Sequence, residues 1–422
     1  MDNQSTIQGT ANNYQKTGSN IFRPINPNSK PQNVVFIVSN PQTSGDAKKI
    51  SELEKEVSEL KKQLSEQKKS VTHDKNISEV ENSKSEKVES VSAVEEKKSL
   101  TDEDVTNFTA TLWKNNPVPK DEPEPTKDAV SNSFSLGKFQ VVAARVRGKK
   151  HKHEGTNCDD WFETNEVEGI FISAVSDGAG SKSFSRIGSR IACQTAVKFL
   201  DVELKKMLQK NTNFKKNLGG DTQSRNFLDD AQILAGILHE SILKARAAVV
   251  EEFESKKNNP AYTKVVGRSL QLSDFAATFL LTATIPLSDN EIFVMSCQIG
   301  DGMVVAFDSE KNFTSLGQAD SGTFAGETDF LTSAAMSKIE NLQHRTRVAR
   351  KNFALILSMT DGVADDYENN EQKLFDDLLA NKILSDTAPA AKLAKWLDTY
   401  TVRGSFDDRT LVAIRKRGVN YA

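Results

Sequence analysis

The stretch Ser173-Ala174-Val175-Ser176-Asp177-Gly178-Ala179-Gly180-Ser181 decides how this 422-residue chain is interpreted. The apolar run from Gly169 to Val175 predicts a strand that ends abruptly at Asp177. Gly178 and Gly180 allow the backbone to turn tightly and leave the carboxylate uncrowded. A helical pattern then begins near Phe184. An Asp-Gly turn is common by itself, but here the same pattern recurs downstream.

The overall composition excludes several classes of protein. The net charge of -3 provides no basic field for nucleic acid. No apolar run approaches the roughly 20 residues of a membrane helix, and the polar first 20 residues lack the apolar core of a signal peptide. Three cysteines without metal-ligand spacing suit a reducing compartment. We therefore expect a cytoplasmic protein that contacts neither nucleic acid nor membrane.

The first 130 residues have the composition of a flexible region. One apolar patch, 34–38, is compatible with a lone strand or with a docking peptide. Apolar residues at spacings of three and four over about 46–69 predict a short heptad helix, either self-associating as a coiled coil or isolated and solvated. Residues of about 115–126 form an acidic, Pro-rich linker. The shift in composition predicts a domain boundary near Ser131, with a globular domain over 131–422.

Strand and helix patterns alternate in blocks across this domain. Strands are predicted at 139–146, 160–162, 169–176, 275–285, 292–299, 303–307, 353–359 and 410–414. Helices are predicted at 184–208, 227–253, 371–379 and 388–400, with a polar loop at 211–224. This order predicts an α+β layered domain with much antiparallel pairing.

Aspartates recur at the ends of the predicted strands. They are found in Cys158-Asp159-Asp160-Trp161, Ser176-Asp177-Gly178, Gly300-Asp301-Gly302, Thr360-Asp361-Gly362 and Gly404-Ser405-Phe406-Asp407-Asp408. Clustered carboxylates repel each other unless cations hold them together. An all-oxygen set favours Mg²⁺ or Mn²⁺ over zinc, and two such ions can activate a shared water and clamp a phosphoryl group. The spacing makes a two-metal site one of the open interpretations.

The order of these motifs resembles the protein phosphatase 2C family of metal-dependent serine/threonine phosphatases, in its bacterial-type branch. Asp177-Gly178-Ala179-Gly180-Ser181 is similar to its central motif. Segments 148–160, 276–302, 322–328, 358–363 and 404–408 are similar to its other motifs, in family order. The resemblance covers about Phe139 to Arg415. It implies two stacked antiparallel β-sheets flanked by helices, an α-β-β-α sandwich, behind a largely disordered or helical N-terminal extension.

The resemblance also implies roles for individual residues. The carboxylate ligands of two Mg²⁺ or Mn²⁺ ions would be Asp160, Asp177, Asp361 and Asp407, with Asp177 bridging both ions and Gly178 offering its carbonyl. Asp301 with Asp361 would hold a weaker third ion. A metal-bridging hydroxide would attack phosphorus, so that no phosphoenzyme forms.

The chain departs from the family pattern at several positions. Many members carry an arginine upstream of the first acidic pair, where Gly155 falls here. His151 is therefore the candidate for phosphate contact or for the leaving-group acid; a surface histidine in a Lys-rich loop is an equally open interpretation. Asp159 and Asp408 are expected beside the metal ligands rather than among them, and Gly302-Met303 replaces the more usual Ser-Arg, which weakens the third-ion expectation.

These observations predict a Mg²⁺/Mn²⁺-dependent protein phosphatase in signalling, acting on phosphoserine and phosphothreonine in proteins. The alternative is a catalytically weak or inactive module of the same fold that senses a phosphorylated partner or ligand. The N-terminal helix is a further candidate for self-association or partner docking.

Overall fold

The computed structural model describes residues 113–317, 329–367, 370–383, 389–399 and 406–419, and the backbone of three short strands near the N-terminus. The expected heptad helix and the segment 322–328 lie outside these residues. Within them, no helix is long and apolar enough to span a membrane.

The first sheet has eight strands in the order β1-β2-β3-β12-β9-β8-β7-β6. Its strands are β1 (Tyr14–Thr17), β2 (Ile21–Pro24), β3 (Val35–Ile37), β6 (Trp161–Val167), β7 (Ile170–Ser176), β8 (Phe279–Ser288), β9 (Glu291–Ile299) and β12 (Thr346–Lys351). All its pairs are antiparallel except the one between β3 and β12. The apolar patch near the N-terminus is thus a strand of this sheet.

The second sheet has six strands in the order β11-β10-β13-β14-β5-β4. Its strands are β4 (Ala129–Leu136), β5 (Phe139–Val146), β10 (Met303–Asp308), β11 (Phe313–Ser315), β13 (Phe353–Met359) and β14 (Arg409–Lys416), and all pairs are antiparallel. The boundary expected near Ser131 falls inside β4, which pairs with β5 along its whole length.

Nine α-helices are described. They are α1 (Lys149–Glu154), α2 (Ser185–Lys210), α3 (Phe214–Leu218), α4 (Arg225–Lys256), α5 (Pro260–Val266), α6 (Ile339–His344), α7 (Asp361–Ala364), α8 (Glu371–Ala380) and α9 (Pro389–Asp398). One sequence-based expectation was wrong here: the loop expected at 211–224 contains α3. Of the two interpretations left open for His151, the Lys-rich loop does not apply, because the segment is helical.

Three apolar clusters make the layers. One lies between α2, α4 and the first sheet, one between α8, α9 and the second sheet, and one between the two sheets. The period of two along β7 explains how one strand serves two layers: Ile170, Ile172 and Ala174 face the helices, whereas Phe171 and Val175 face the second sheet. The expected α-β-β-α sandwich is confirmed, and the ends of its central strands bring the aspartates together.

Candidate functional site

The end of β7 is built so that two acidic motifs cross at close range. Asp177 follows the last residue of β7, and its N–H donates to Thr278 Oγ1 at 3.0 Å while the N–H of Thr278 donates back to its carbonyl at 2.8 Å. A Cβ at Gly178 would lie 2.5 Å from the carbonyl oxygen of Asp159. Only glycine permits this approach, because a side chain would force the two backbones apart. Gly178 therefore sets the Asp159-Asp160 pair against Asp177.

Asp160 is completely buried and only half satisfied. Its Oδ2 accepts hydrogen bonds from Thr360 Oγ1 at 2.9 Å and Thr410 Oγ1 at 2.6 Å. Its Oδ1 has no donor among the described residues when the acids are ionised, and the carboxyl of Asp177 is close enough to share a hydrogen bond with Asp160 when one of the two acids is protonated. Burial, followed by the charge of Asp408, raises the pKa of Asp160 to about 7. A buried carboxylate oxygen without a donor is a natural ligand for a cation.

The carboxylates of Asp177, Asp301 and Asp361 form a second part of the site. One oxygen from each lies within 4.8 Å of the others, and Asp361 Oδ1 also accepts the N–H of Gly362 at 2.7 Å. Burial, followed by the neighbouring acids, raises the pKa of Asp361 to about 8 and that of Asp177 well above its usual range. Like charges at this spacing destabilise one another unless a cation neutralises them. An oxygen-only donor set fits Mg²⁺ or Mn²⁺.

Asp407, near the end of the chain, lies beside these acids and beside the exposed Gly180, and the space that they border is here called the opening. Its Oδ2 lies 3.8 Å from the position of a Cβ at Gly180, and its charge contributes to the raised pKa values of Asp177 and Asp361. Gly148 allows the backbone of Asp407 to approach, because a Cβ there would lie 2.3 Å from the Asp407 carbonyl carbon. The structure thus brings together all five aspartates that the resemblance assigns to metal binding.

Asp408, the next residue, has a different surrounding. It is buried, and its oxygens accept the N–H of Gly148 at 2.6 Å, the N–H of Asp159, and a hydrogen bond from His151 Nδ1 at 2.9 Å. Burial raises the pKa of Asp408, but His151 and these donors outweigh it and hold that pKa below its usual value. Asp408 is therefore ionised, and both of its oxygens are engaged by hydrogen bonds from Gly148, His151 and Asp159. It joins its own segment to the segments that carry these donors.

His151 is buried in α1 and is not a surface histidine. Burial lowers its pKa, but the charges of Asp408, Asp159 and Asp407 outweigh this and raise it to about 10. Its Nε2 lies 3.6 Å from Asp407 Oδ1 and 3.6 Å from the Cβ position of Gly180. His151, Asp159 and Asp408 offer atoms within 4.8 Å of one another, but the His151–Asp408 hydrogen bond accounts for this proximity without a metal.

The sequence-based reasoning did not identify the hydroxyl groups that orient the acids. Thr360 and Thr410 both donate to Asp160, and Ser189 Oγ donates to the Asp159 carbonyl at 2.6 Å. Thr360 directly precedes Asp361, and this adjacency was the available signal. Lys150 was also missed: it is exposed, and its Nζ lies 3.9 Å from the Cβ position of Gly180. This places a cation at the rim of an acidic opening.

Comparisons with known proteins agree with this geometry. A family model described as protein phosphatase 2C matches residues 147–398, more than half of the chain. No curated protein matches. Similar solved structures include serine-threonine phosphatase 2C from Toxoplasma gondii, with 13% identity, a TM-score of 0.44, and 69% of this chain and 99% of that chain covered. The serine/threonine phosphatase PstP/Ppp of Mycobacterium tuberculosis has 16% identity, a TM-score of 0.36, and 66% and 99% coverage.

A third similar structure is RsbX in complex with magnesium, with 13% identity, a TM-score of 0.35, and 68% of this chain and 99% of that chain covered. At these identities and scores the solved structures carry no functional argument. The assignment depends on the family model, which spans α1, the Asp177 motif and the Asp361 motif. By that match, the chain belongs to the protein phosphatase 2C family.

Proposed function

We propose that this protein hydrolyses phosphoserine and phosphothreonine in proteins with two Mg²⁺ or Mn²⁺ ions. The observation that carries the proposal is the cluster of Asp177, Asp301 and Asp361 oxygens beside the donor-free Oδ1 of buried Asp160. A family member that had lost catalysis would be free to lose these acids, since buried unpaired carboxylates cost stability. Their joint presence favours an active enzyme over the sensing module.

The residues divide the work of phosphoryl transfer. Asp160, Asp177, Asp361 and Asp407 would hold the two ions, and Gly178 would offer its carbonyl. When bound, such ions lower the pKa of a water and neutralise the charge that develops on the phosphoryl group. Thr360 and Thr410 fix the Asp160 carboxylate, so that its free oxygen keeps one direction. Attack by water rather than by a side chain would leave no phosphoenzyme.

His151 and Lys150 would act on the substrate. The raised pKa of His151 favours the protonated ring in the metal-free protein, and its Nε2 lies at the opening near Gly180 and Asp407. From there it would contact the phosphate or deliver a proton to the departing serine or threonine oxygen. The exposed ammonium of Lys150 beside Gly180 would attract the phosphate dianion. Asp301 would hold the weaker third ion with Asp361.

The test is metal-dependent turnover of p-nitrophenyl phosphate and of a phosphothreonine peptide by the full-length protein. Activity should require Mn²⁺ or Mg²⁺ and disappear with EDTA. Asp177→Asn should lower kcat by more than about a hundredfold. Asp229→Asn, a change of the same kind at an exposed position of α4, is the matched control. Undiminished turnover by Asp177→Asn would refute the proposal.

The same experiment decides between the enzyme and the sensing module. Calorimetric Mn²⁺ binding by wild type without any turnover would support a module that keeps the acids for recognition. The cytoplasmic location and docking through the N-terminal helix remain predictions.

A further inference from the structure

Residues Trp113–Asp128, here called the strap, precede β4 and lie outside the segment that the family model matches. Their composition predicted an acidic, Pro-rich linker over about 115–126. In the structure they lie instead along α1 and the loop leading to Asp159, and then reach α2, α4 and α5. The strap makes four separate sets of contacts, and three of them involve segments that carry residues of the site.

The first set of contacts joins the strap to the backbone of α1. Arg147 is buried, and its Nη2 donates to the carbonyl of Asn116 at 2.8 Å and to the carbonyl of His151 at 2.9 Å. The N–H of Asn116 donates to the Lys152 carbonyl at 2.7 Å, and its side-chain amide donates to the His153 carbonyl at 2.6 Å. One guanidinium thus joins the strap to the residue that carries the imidazole.

The second set of contacts is aromatic. The Trp113 ring lies 5.5 Å from the His153 ring, edge-on, and 4.8 Å from the Phe406 ring. Phe406 is adjacent to Asp407, and its carbonyl accepts the N–H of Lys150 at 3.0 Å. Trp113 therefore packs against both α1 and the segment that carries Asp407.

The third set of contacts fixes the far end of the strap. The Glu124 carboxylate accepts a hydrogen bond from Tyr262 at 2.6 Å, lies 3.0 Å from Lys256 Nζ, and forms an ion pair with Arg190. Arg186 binds the neighbouring Glu122 at 2.6 Å and two strap carbonyls. Charge-assisted hydrogen bonds of this kind are stronger than neutral ones. Glu124 is the latch that keeps the strap in place.

Between the latch and β4, the strap supports the first acidic pair. Thr126 Oγ1 donates to the Cys158 carbonyl at 2.8 Å, and the N–H of Thr126 donates to Asn157 Oδ1 at 2.8 Å. These contacts hold the residues immediately before Asp159 and Asp160. The α1 sequence, Lys-Lys-His-Lys-His-Glu, has no apolar stripe of its own, so its position depends on such contacts.

We propose that the strap is a positioning element of the active site: latched by Glu124, it holds α1 and thereby His151 and the Asp407 segment in register with the acidic cluster. The proposal rests on the phosphatase function above. Arg147 and Trp113 are positioning residues, since they act through His151 and Phe406 and contact neither the acidic cluster nor its opening.

The test uses the full-length chain with Glu124→Ala, Trp113→Ala and the conservative Trp113→Phe. Asp121→Asn is the matched control, because Asp121 is an exposed strap acid with no ion pair to a described residue. Two quantities are measured with Mn²⁺ present: hydrogen exchange of the amides of 149–158, and kcat and KM for p-nitrophenyl phosphate. Circular dichroism confirms that each variant is folded.

We expect both alanine variants to speed exchange at 149–158 by about tenfold. Glu124→Ala removes the charged contacts of the strap and Trp113→Ala removes its aromatic contacts, and either loss weakens the hold on α1. We expect kcat to fall about fivefold to tenfold with KM within about twofold, because a displaced His151 slows the chemical step. Trp113→Phe and Asp121→Asn should behave as wild type.

Two outcomes overturn the proposal: unchanged exchange in both alanine variants, or faster exchange with unchanged kcat, which would make the strap purely structural. If wild type shows no turnover, the phosphatase function fails separately. Exchange at 149–158 then decides alone whether the strap holds α1.

Discussion

Replacing Asp361 by asparagine should stabilise the metal-free protein. Burial, together with the charges of Asp160, Asp301 and Asp407, raises the pKa of Asp361 from 3.8 to about 8. The folded state therefore binds a proton that the unfolded chain releases, and stability is lost as the pH rises from 3.8 towards 8. Asparagine carries no charge, and its side-chain oxygen can still accept the N–H of Gly362, which donates to Asp361 at 2.7 Å.

The magnitude follows from this shift. Between pH 3.8 and pH 7, roughly three pH units, the ionisation of Asp361 lowers the free energy of unfolding of the wild type by about 4 kcal/mol. For a domain of this size, 1 kcal/mol moves the melting temperature by about 2–4 °C. Asp361→Asn should therefore melt about 10 °C above wild type at pH 7 in EDTA. The difference should shrink towards zero near pH 4, where the wild-type carboxyl is neutral in the folded state.

The assay is thermal unfolding of both proteins in EDTA and in saturating Mn²⁺, with Asp229→Asn as control. Mn²⁺ at a hundred times its dissociation constant should stabilise wild type by about 2.7 kcal/mol, whereas Asp361→Asn, lacking a ligand, should gain much less. The advantage of Asp361→Asn, about 4 kcal/mol in EDTA, should then narrow to about 1–2 kcal/mol without reversing. If Asp361→Asn melts at or below wild type in EDTA at pH 7, the carboxylates do not repel one another as inferred.

Two further substitutions separate structural from metal-binding acids. Asp408→Asn should lower stability by about 3–5 kcal/mol in EDTA and in Mn²⁺ alike, because it removes the charge that His151 and two backbone N–H groups pair with; a loss seen only with metal would make Asp408 a ligand. His239 is buried, and its Nε2 lies 2.7 Å from Thr346 Oγ1, which itself donates to the Leu342 carbonyl, so Nε2 is the donor to Thr346. Burial lowers its pKa from 6.5 to about 4, so the ring is neutral at pH 7. The contribution of the neutral ring to the free energy of unfolding is present above pH 6.5 and is lost as the pH falls towards 4. Chemical denaturation should show wild type losing about 3 kcal/mol more than His239→Gln between pH 7 and pH 4; parallel curves would contradict a neutral buried imidazole.

Most of the central sheets could be predicted from the sequence, because their strands are apolar on both faces. The bounds expected for β5 and β13 are those observed, 139–146 and 353–359. Five strands were missed: β1 and β2, in the region expected to be flexible, and β4, β11 and β12, whose apolar signal is weak. β4 shows this best: six of its eight residues are exposed, and its position depends on backbone pairing with β5.

The site divides along the same line. The sequence by itself determined which carboxylates are available for a metal site. An Asp-Gly pair that follows a strand places its acid at the end of that strand, as at Asp177, Asp301 and Asp361. Only the tertiary structure decided what each acid does. Asp407 and Asp408 are adjacent in the chain, yet Asp407 faces the opening while Asp408 is fully engaged by groups about 250 residues away. Local pattern carries no information about such distant donors.

The strap shows the same limit for a whole segment. Its prolines and acidic residues are typical of a linker, and no neighbouring residue in the sequence indicates that the segment docks on the domain. The residues that bind it lie on three helices and on the connection between β5 and α1; they are Arg147, Arg186, Arg190, Lys256 and Tyr262. Composition alone determined that the strap is polar and stiff. Whether a polar segment stays in solvent or docks depends on charges that folding brings to it, and here the folded domain supplies them.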